Sequence, residues 1–398
     1  MNVRNRVVAC LFLVAAIAAK GAEPYGAAVI DGRIPGLWQT NGVVFYQGRP
    51  YRGVGANYFE LFLRVLHEPT NHTSLEGLDQ LGRAGIPFVR FAVAYDNADW
   101  RLFLDNRNEF FRRLDVVVQE AERAKVGLIP SFFWRFESFP ELSKEPREQW
   151  GNPHSKTCAL MRQIVGAIVE RYKLSPGLWA WEFGNEPNLQ VDLPNAAQFR
   201  KPGGTEHDDL TSVIMVSMLR EFAREVRRHD PHRLLIAGHS HPRASAWHNT
   251  AEKSWRPDSQ DQTLEILRRD NPPPLDTIAI HLYADHPVTQ EVAAWAKDNR
   301  EYLRAVRTLS QEMKRPVIVG EFGLASQGQN EAETRAKFEE LLTAMEQAQV
   351  DLAAFWVFDL PSQSPQWSVT FDNPRSYMIR LAAEVNRRWH QAALQRQD

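Results

Sequence analysis

Two glutamates stand where an apolar run gives way to polar residues. Glu186 closes Trp181-Glu182-Phe183-Gly184-Asn185-Glu186-Pro187-Asn188, and Glu321 lies in Pro316-Val317-Ile318-Val319-Gly320-Glu321-Phe322-Gly323. A lone carboxylate at such a place reads as a surface group or the partner of a nearby Arg. Two that face each other do different chemistry. Repulsion and unequal surroundings keep one protonated and the other ionised, so one gives a proton while the other attacks. Other candidates end similar runs: Asn57 in Gly53-Val54-Gly55-Ala56-Asn57-Tyr58, Arg90 in Gly85-Ile86-Pro87-Phe88-Val89-Arg90, and Trp134 in Pro130-Ser131-Phe132-Phe133-Trp134-Arg135. His281-Leu282-Tyr283 and Trp356 complete the set. Arg90 also reads as one half of an interior salt bridge, and His281 as a hydrogen-bonded core histidine.

For these groups to meet, the runs that carry them must be strands ending on one side. Short apolar, β-branched or aromatic runs recur near residue 54 and at 86–93, 127–134, 178–184, 234–238, 277–283, 316–322 and 352–358. Segments of helical period lie between them at 110–125, 158–172, 210–228, 292–313 and 332–347. Within 210–228 the spacing of Val213, Val216, Leu219, Ala223 and Val226 predicts one buried face. Residues 43–55 read as a hairpin leading into the first strand. Eight strands alternating with helices predict a single-domain α/β fold, a parallel (β/α)₈ barrel, in which reactive groups project from the C-terminal strand ends. A doubly wound open sheet is the alternative, but no glycine-rich phosphate loop follows any run.

Composition bounds the partners. The 398 residues carry 47 Lys+Arg against 49 Asp+Glu, a net charge of −2, so nothing favours nucleic acid or an anionic membrane surface. Hydrophobic residues at 43% and charged residues at 24% exclude a disordered or fibrous chain. At the N-terminus, Arg4 and Arg6 precede an apolar run over 7–19 and then small residues, the pattern of a secretory signal peptide over 1–21. That run is shorter than the about 20 residues of a membrane span. The expectation is a secreted or periplasmic chain whose catalytic domain fills 22–398, acting as a monomer without a transmembrane anchor. Cys158 would then be the sole remaining thiol, in an apolar helical stretch that suits a core residue.

Asn185-Glu186-Pro187 on the fourth run and Glu321-Phe322-Gly323 on the seventh resemble the retaining glycoside hydrolases of the (β/α)₈ clan. Family 5, the cellulases and mannanases, is the best match within it. The first-run motif at Asn57, the second-run arginine Arg90, His281-x-Tyr283 on the sixth and Trp356 on the eighth follow in the same order. The resemblance implies that Glu186 is the acid/base and Glu321 the nucleophile of a β-glycosidase that needs no cofactor or metal. It also implies that Arg90, Asn57, Asn185, His281, Tyr283, Trp134 and Trp356 bind substrate, a β-linked oligo- or polysaccharide. Retention needs the two carboxyl groups about 5–5.5 Å apart. Many cellulases of the family carry a His at the end of strand three. Trp134 there, with His281-Leu282-Tyr283-Ala284-Asp285 on strand six, is more similar to the mannanase branch.

Trp247 and Trp255, in the long segment after strand five, are the expected distal sugar platforms. His239, His241 and His248 nearby could suggest a metal site. No acidic or thiol ligand completes a zinc spacing, so substrate contacts are expected instead. Three rival readings remain: a glucan-acting or exo-acting glycosidase, a carbohydrate-binding barrel without activity, and a metal-dependent amidohydrolase. The last lacks its strand-one His-x-His, since that strand ends Gly55-Ala56-Asn57-Tyr58.

Overall fold

The structure, a computed structural model, describes residues 34–284, 293–326 and 330–395. It opens with a three-stranded antiparallel sheet of β1 (Leu37–Thr40), β2 (Val43–Tyr46) and β3 (Arg49–Pro50). The β2–β3 hairpin was expected; β1 was not. Asn41 and Gly42 join β1 to β2 with φ of 51° and 81°, the pair of left-handed residues that a two-residue type I′ hairpin requires. The sheet seals the N-terminal end of the barrel. Leu37 is fully buried there, and its N–H donates to Trp179 O at 2.7 Å.

Eight parallel strands follow: β4 (Gly53–Asn57), β5 (Phe88–Ala92), β6 (Gly127–Phe133), β7 (Ala180–Gly184), β8 (Leu234–Ile236), β9 (Ile278–Tyr283), β10 (Val317–Gly323) and β11 (Leu352–Phe355). Their order is β8-β7-β6-β5-β4-β11-β10-β9. The seam between β8 and β9 is narrow. Asp276 N–H donates to Leu235 O at 3.2 Å, and Leu235 N–H donates back to the Asp276 carboxylate at 2.9 Å. Every expected strand is present, trimmed by up to three residues where pairing stops. These strands are buried on both faces, which is why they read as apolar runs rather than alternating ones.

The expected helices form at Arg107–Ala124, Lys156–Tyr172, Ser212–His229, Asn299–Met313 and Glu331–Gln347. Two differences are instructive. The fourth starts at Asn299 because the Asp298 carboxylate caps Glu301 N–H at 2.8 Å. In Ser212–His229 the buried stripe is Met215, Met218, Leu219, Phe222, Ala223 and Val226, whereas Val213 is 77% exposed. Burying a large apolar side chain contributes about 1.5–3 kcal/mol, so the stripe holding Phe222 and two methionines outweighs one holding Val213 and Val216. Cys158 is buried and free, as a core residue should be.

One irregularity places a key residue. Against β9 the register of β10 slips between Val319 and Glu321, and against β11 between Val319 and Phe322, so Gly320 is an extra residue. Beyond this bulge Glu321 turns toward the barrel axis. Phe322 faces outward, stacked on Phe338 of helix Glu331–Gln347 with ring centroids 5.4 Å apart. No described helix is long and apolar enough to cross a membrane, and the signal-peptide region lies outside the described residues.

Candidate active site

The C-terminal mouth of the barrel is organised around Arg90, which β5 holds at 2% exposure. Nε donates to Glu182 Oε1 at 2.7 Å. Nη1 donates to Glu321 Oε1 at 2.7 Å and to Asn57 Oδ1 at 2.9 Å. Nη2 donates to Asn185 Oδ1 at 2.8 Å and reaches Gly184 O at 3.5 Å. Every N–H direction of the guanidinium is therefore engaged. Its face lies over Trp134, 4.6 Å from the ring centroid. Burial opposes the charge on Arg90, but Glu182 and Glu321 more than offset it and raise its pKa.

Glu186 follows β7 in the left-handed region, at φ 49° and ψ 37°. A non-glycine residue held there stores strain, a common mark of functional positions. Its N–H donates to Gly238 O at 2.8 Å. Gly238 itself has φ of 74°, and a Cβ on it would lie 1.8 Å from Gly184 O, so only glycine lets the two loops approach. The Glu186 side chain meets His281 on β9, with Nδ1 to Oε1 at 2.8 Å. Burial lowers the His281 pKa to about 3, so the ring is neutral and the contact is a hydrogen bond rather than an ion pair.

Glu321, 4% exposed, accepts from Arg90 and from the hydroxyl of Tyr283. Burial, followed by the Glu321 charge, raises the Tyr283 pKa well above its ordinary value and keeps the phenol a donor. Donor atoms of Glu186, His281 and Glu321 all lie within 4.8 Å of one another. One oxygen of each carboxylate thus comes within 4.8 Å of the other's, close enough for a retaining pair, whose carboxyl groups stand about 5–5.5 Å apart. The same three groups form the one cluster of potential metal donors among the described residues. The Arg90 guanidinium, 2.7 Å from Glu321, already supplies the positive charge there and disfavours a second cation.

Trp134 and Trp356 stack with centroids 6.0 Å apart beside Phe59, and they line a 660 Å³ cleft with Tyr95 and Gln363. Trp255, 51% exposed, lines a second cleft of 770 Å³ with Leu189, Gln190, Phe199 and Arg243. A further cavity of 950 Å³ lies elsewhere, between Tyr51, Trp179 and helix Tyr377–Gln395, with Glu384 the one carboxylate in its lining.

Several expected substrate contacts are placed differently. Asn57 is fully buried: its Oδ1 takes the Arg90 bond, and its amide donates to Gly320 O at 2.9 Å and Ala354 O at 3.1 Å. It supports Arg90 and cannot touch a sugar. His281 is likewise fully buried, against Glu186. Trp247 lies on the short helix Ala246–Glu252 and its Nε1 donates to Glu265 at 3.0 Å, tying that helix to helix Gln260–Asp270. His239 is buried with Nε2 on Asp270 O, and His248 is buried between Asp258 and Arg256. Glu182, 1% exposed, is the site residue that reading strand ends overlooked. Its signal was a charge in mid-strand within an otherwise apolar run.

An eight-stranded α/β barrel with two carboxylates this close at the C-terminal mouth has the architecture of a glycoside hydrolase. The chain belongs to glycosyl hydrolase family 5: the family model described as Cellulase (glycosyl hydrolase family 5) matches residues 54–359, and the protein is an O-glycosyl hydrolase. A mannan endo-1,4-beta-mannosidase 7 of Arabidopsis thaliana is 24% identical over 323 residues, covering 72% of this chain and 68% of that protein. An endo-1,4-beta-mannanase of Rhizomucor miehei superposes with a TM-score of 0.62 at 15% identity, covering 89% of this chain and 99% of its own. A family 5 mannosidase of the same organism gives 0.63 at 13% identity, covering 90% and 99%.

Proposed function

We propose that the protein cuts β-1,4-mannan internally by double displacement, with Glu321 as nucleophile and Glu186 as acid/base. The observation that carries the roles is the carboxylate pair within 4.8 Å, with unequal neighbours. Glu321 is held by the Arg90 guanidinium and the Tyr283 hydroxyl, which suit an ionised attacking group. Glu186 is held by a neutral histidine and its side chain is 27% exposed, as a group that exchanges protons with substrate and water requires. In the first step Glu321 attacks the anomeric carbon while Glu186 protonates the departing oxygen. In the second, Glu186 takes a proton from the water that opens the glycosyl ester. Asn185, with Oδ1 fixed by Arg90, keeps its amide N–H groups for the 2-hydroxyl of the bound sugar.

The names of the related proteins and the Trp134–Trp356 stack support mannan as the substrate. Incubation with soluble mannan, glucan and xylan tests it. Mannan should lose viscosity quickly and yield a ladder of oligosaccharides. Release of mannose alone would mean terminal cleavage, and hydrolysis of glucan alone would reassign the sugar. The basic, apolar and small residues of 1–21 further support export. N-terminal sequencing of protein recovered outside the cytoplasm should start near residue 22.

A further inference from the structure

We infer that Glu182 is a positioning residue for the reaction, one that shares Arg90 with Glu321 and thereby sets how basic Glu321 remains. The inference rests on the assignment of Glu321 as nucleophile. Glu182 sits in the middle of β7, between Trp181, whose Nε1 donates to Asp230, and Phe183, and is 1% exposed. A carboxylate buried this deeply is costly unless paired, and its charged partner is Arg90. One guanidinium therefore serves two buried carboxylates, each at 2.7 Å, from opposite edges.

Two consequences follow from that geometry. The Nε edge anchored by Glu182, together with the Trp134 face, fixes the plane of the guanidinium. Nη1 then stays on Glu321 and Nη2 on Asn185. In addition, the charge of Arg90 is divided. A one-to-one ion pair would hold Glu321 strongly in its ionised, weakly basic form, whereas a competing carboxylate relaxes that hold. The groups facing Glu321 from other strands are His281 and Tyr283 on β9 and Glu186 after β7. Burial keeps His281 and the nearby His239 neutral, and Tyr283 stays protonated, so Glu182 is the countercharge that balances Arg90. Burial raises the pKa of Glu182 and Arg90 opposes that rise.

The test is the pH profile of kcat/KM on an activated aryl β-mannoside, with thermal stability measured in parallel. Glu182→Gln removes the charge and keeps the size. The acid limb should move down by about one pH unit as Arg90 acts on Glu321 alone. Glu182→Asp keeps the charge but shortens the reach, so the limb should stay in place while kcat falls. A Glu182→Gln enzyme that is merely less stable, with its acid limb unmoved, overturns the inference. Should that variant fail to fold, carboxyl ¹³C NMR of the wild-type protein decides: Glu182 must be ionised at the pH of maximal activity, and a protonated Glu182 there refutes the idea. Activity surviving in Glu321→Ala would instead refute the nucleophile assignment, a separate failure.

Discussion

Nδ1 of His281 lies 2.8 Å from Glu186 Oε1 and 3.5 Å from Glu321 Oε2, while Nε2 has no protein partner among the described residues. A neutral imidazole has one proton to place. On Nε2 it would be a buried donor without an acceptor, at a cost of about 1–3 kcal/mol. On Nδ1 it points at the carboxylates. Glu186 Oε1 is therefore an acceptor, which leaves Oε2 as the oxygen to carry the proton that the proposed acid role requires.

The first prediction concerns pH and stability. His281 titrates near 6.5 when unfolded and near 3 when folded, because burial disfavours its charge. Below pH 6.5 the unfolded chain binds the extra proton first, so this group destabilises the fold progressively as pH falls from 6.5 toward 3, by a few kcal/mol. The stability gap between wild type and His281→Gln, read from urea denaturation between pH 7.5 and 4.5, should narrow on acidification. A gap independent of pH would show that His281 does not titrate in this way.

The second separates the two carboxylates. Glu186→Ala should form the glycosyl ester from an activated aryl glycoside but hydrolyse it slowly, and azide should restore turnover by giving a β-glycosyl azide. Glu321→Ala lacks the attacking group, so azide entering its place should give the α-azide. Proton NMR of the anomeric centre distinguishes them, and the opposite outcome would exchange the roles.

The third distinguishes the two tryptophans after β8. Trp255→Ala should weaken binding of long oligosaccharides by roughly 1–3 kcal/mol, the scale of stacking on an aromatic platform, and leave a one-sugar aryl substrate unaffected. Trp247→Ala should lower the melting temperature without altering chain-length dependence, because its indole bonds to Glu265. Equal losses on short and long substrates in Trp255→Ala would make it a structural residue too.

The fourth targets the close approach beneath Glu186. Gly238→Ala sets a Cβ 1.8 Å from Gly184 O at a φ of 74°, and should destabilise the protein by at least about 2 kcal/mol. Because Gly238 O holds the Glu186 N–H, kcat should fall further than the unfolded fraction explains. A variant whose folded molecules turn over at the wild-type rate would show that this bond does not place the acid.

The barrel and its carboxylate pair were legible in the sequence for one reason. Parallel strands buried on both faces must be apolar runs, so a Glu near the end of one or just beyond it stands out, as Glu321 and Glu186 do. What was not legible depends on distance rather than type. Asn57 ends its strand and His281 lies two residues from the end of its own, just as substrate contacts would. Only the structure shows their polar atoms consumed by Arg90, by backbone carbonyls and by Glu186. The buried stripe of Ser212–His229 was misread because spacing alone cannot weigh Phe222 against Val213. β1 had a usable signal in Asn41-Gly42, flanked by strand-forming residues on both sides.

Gly320 is the one residue that β10 holds in excess of its neighbours. Side chains on a strand alternate, so a single inserted residue exchanges odd positions for even ones beyond it. Were Gly320 paired as an ordinary strand residue, Glu321 would share the outward face of Val319 and meet the oily layer around Phe338, and Phe322 would enter the polar mouth; the bulge absorbs the extra residue and keeps both in phase. The Glu321 carboxylate is thus placed by how the strand counts its residues, not by composition: the same sequence paired without the bulge would be out of phase with the mouth of the barrel.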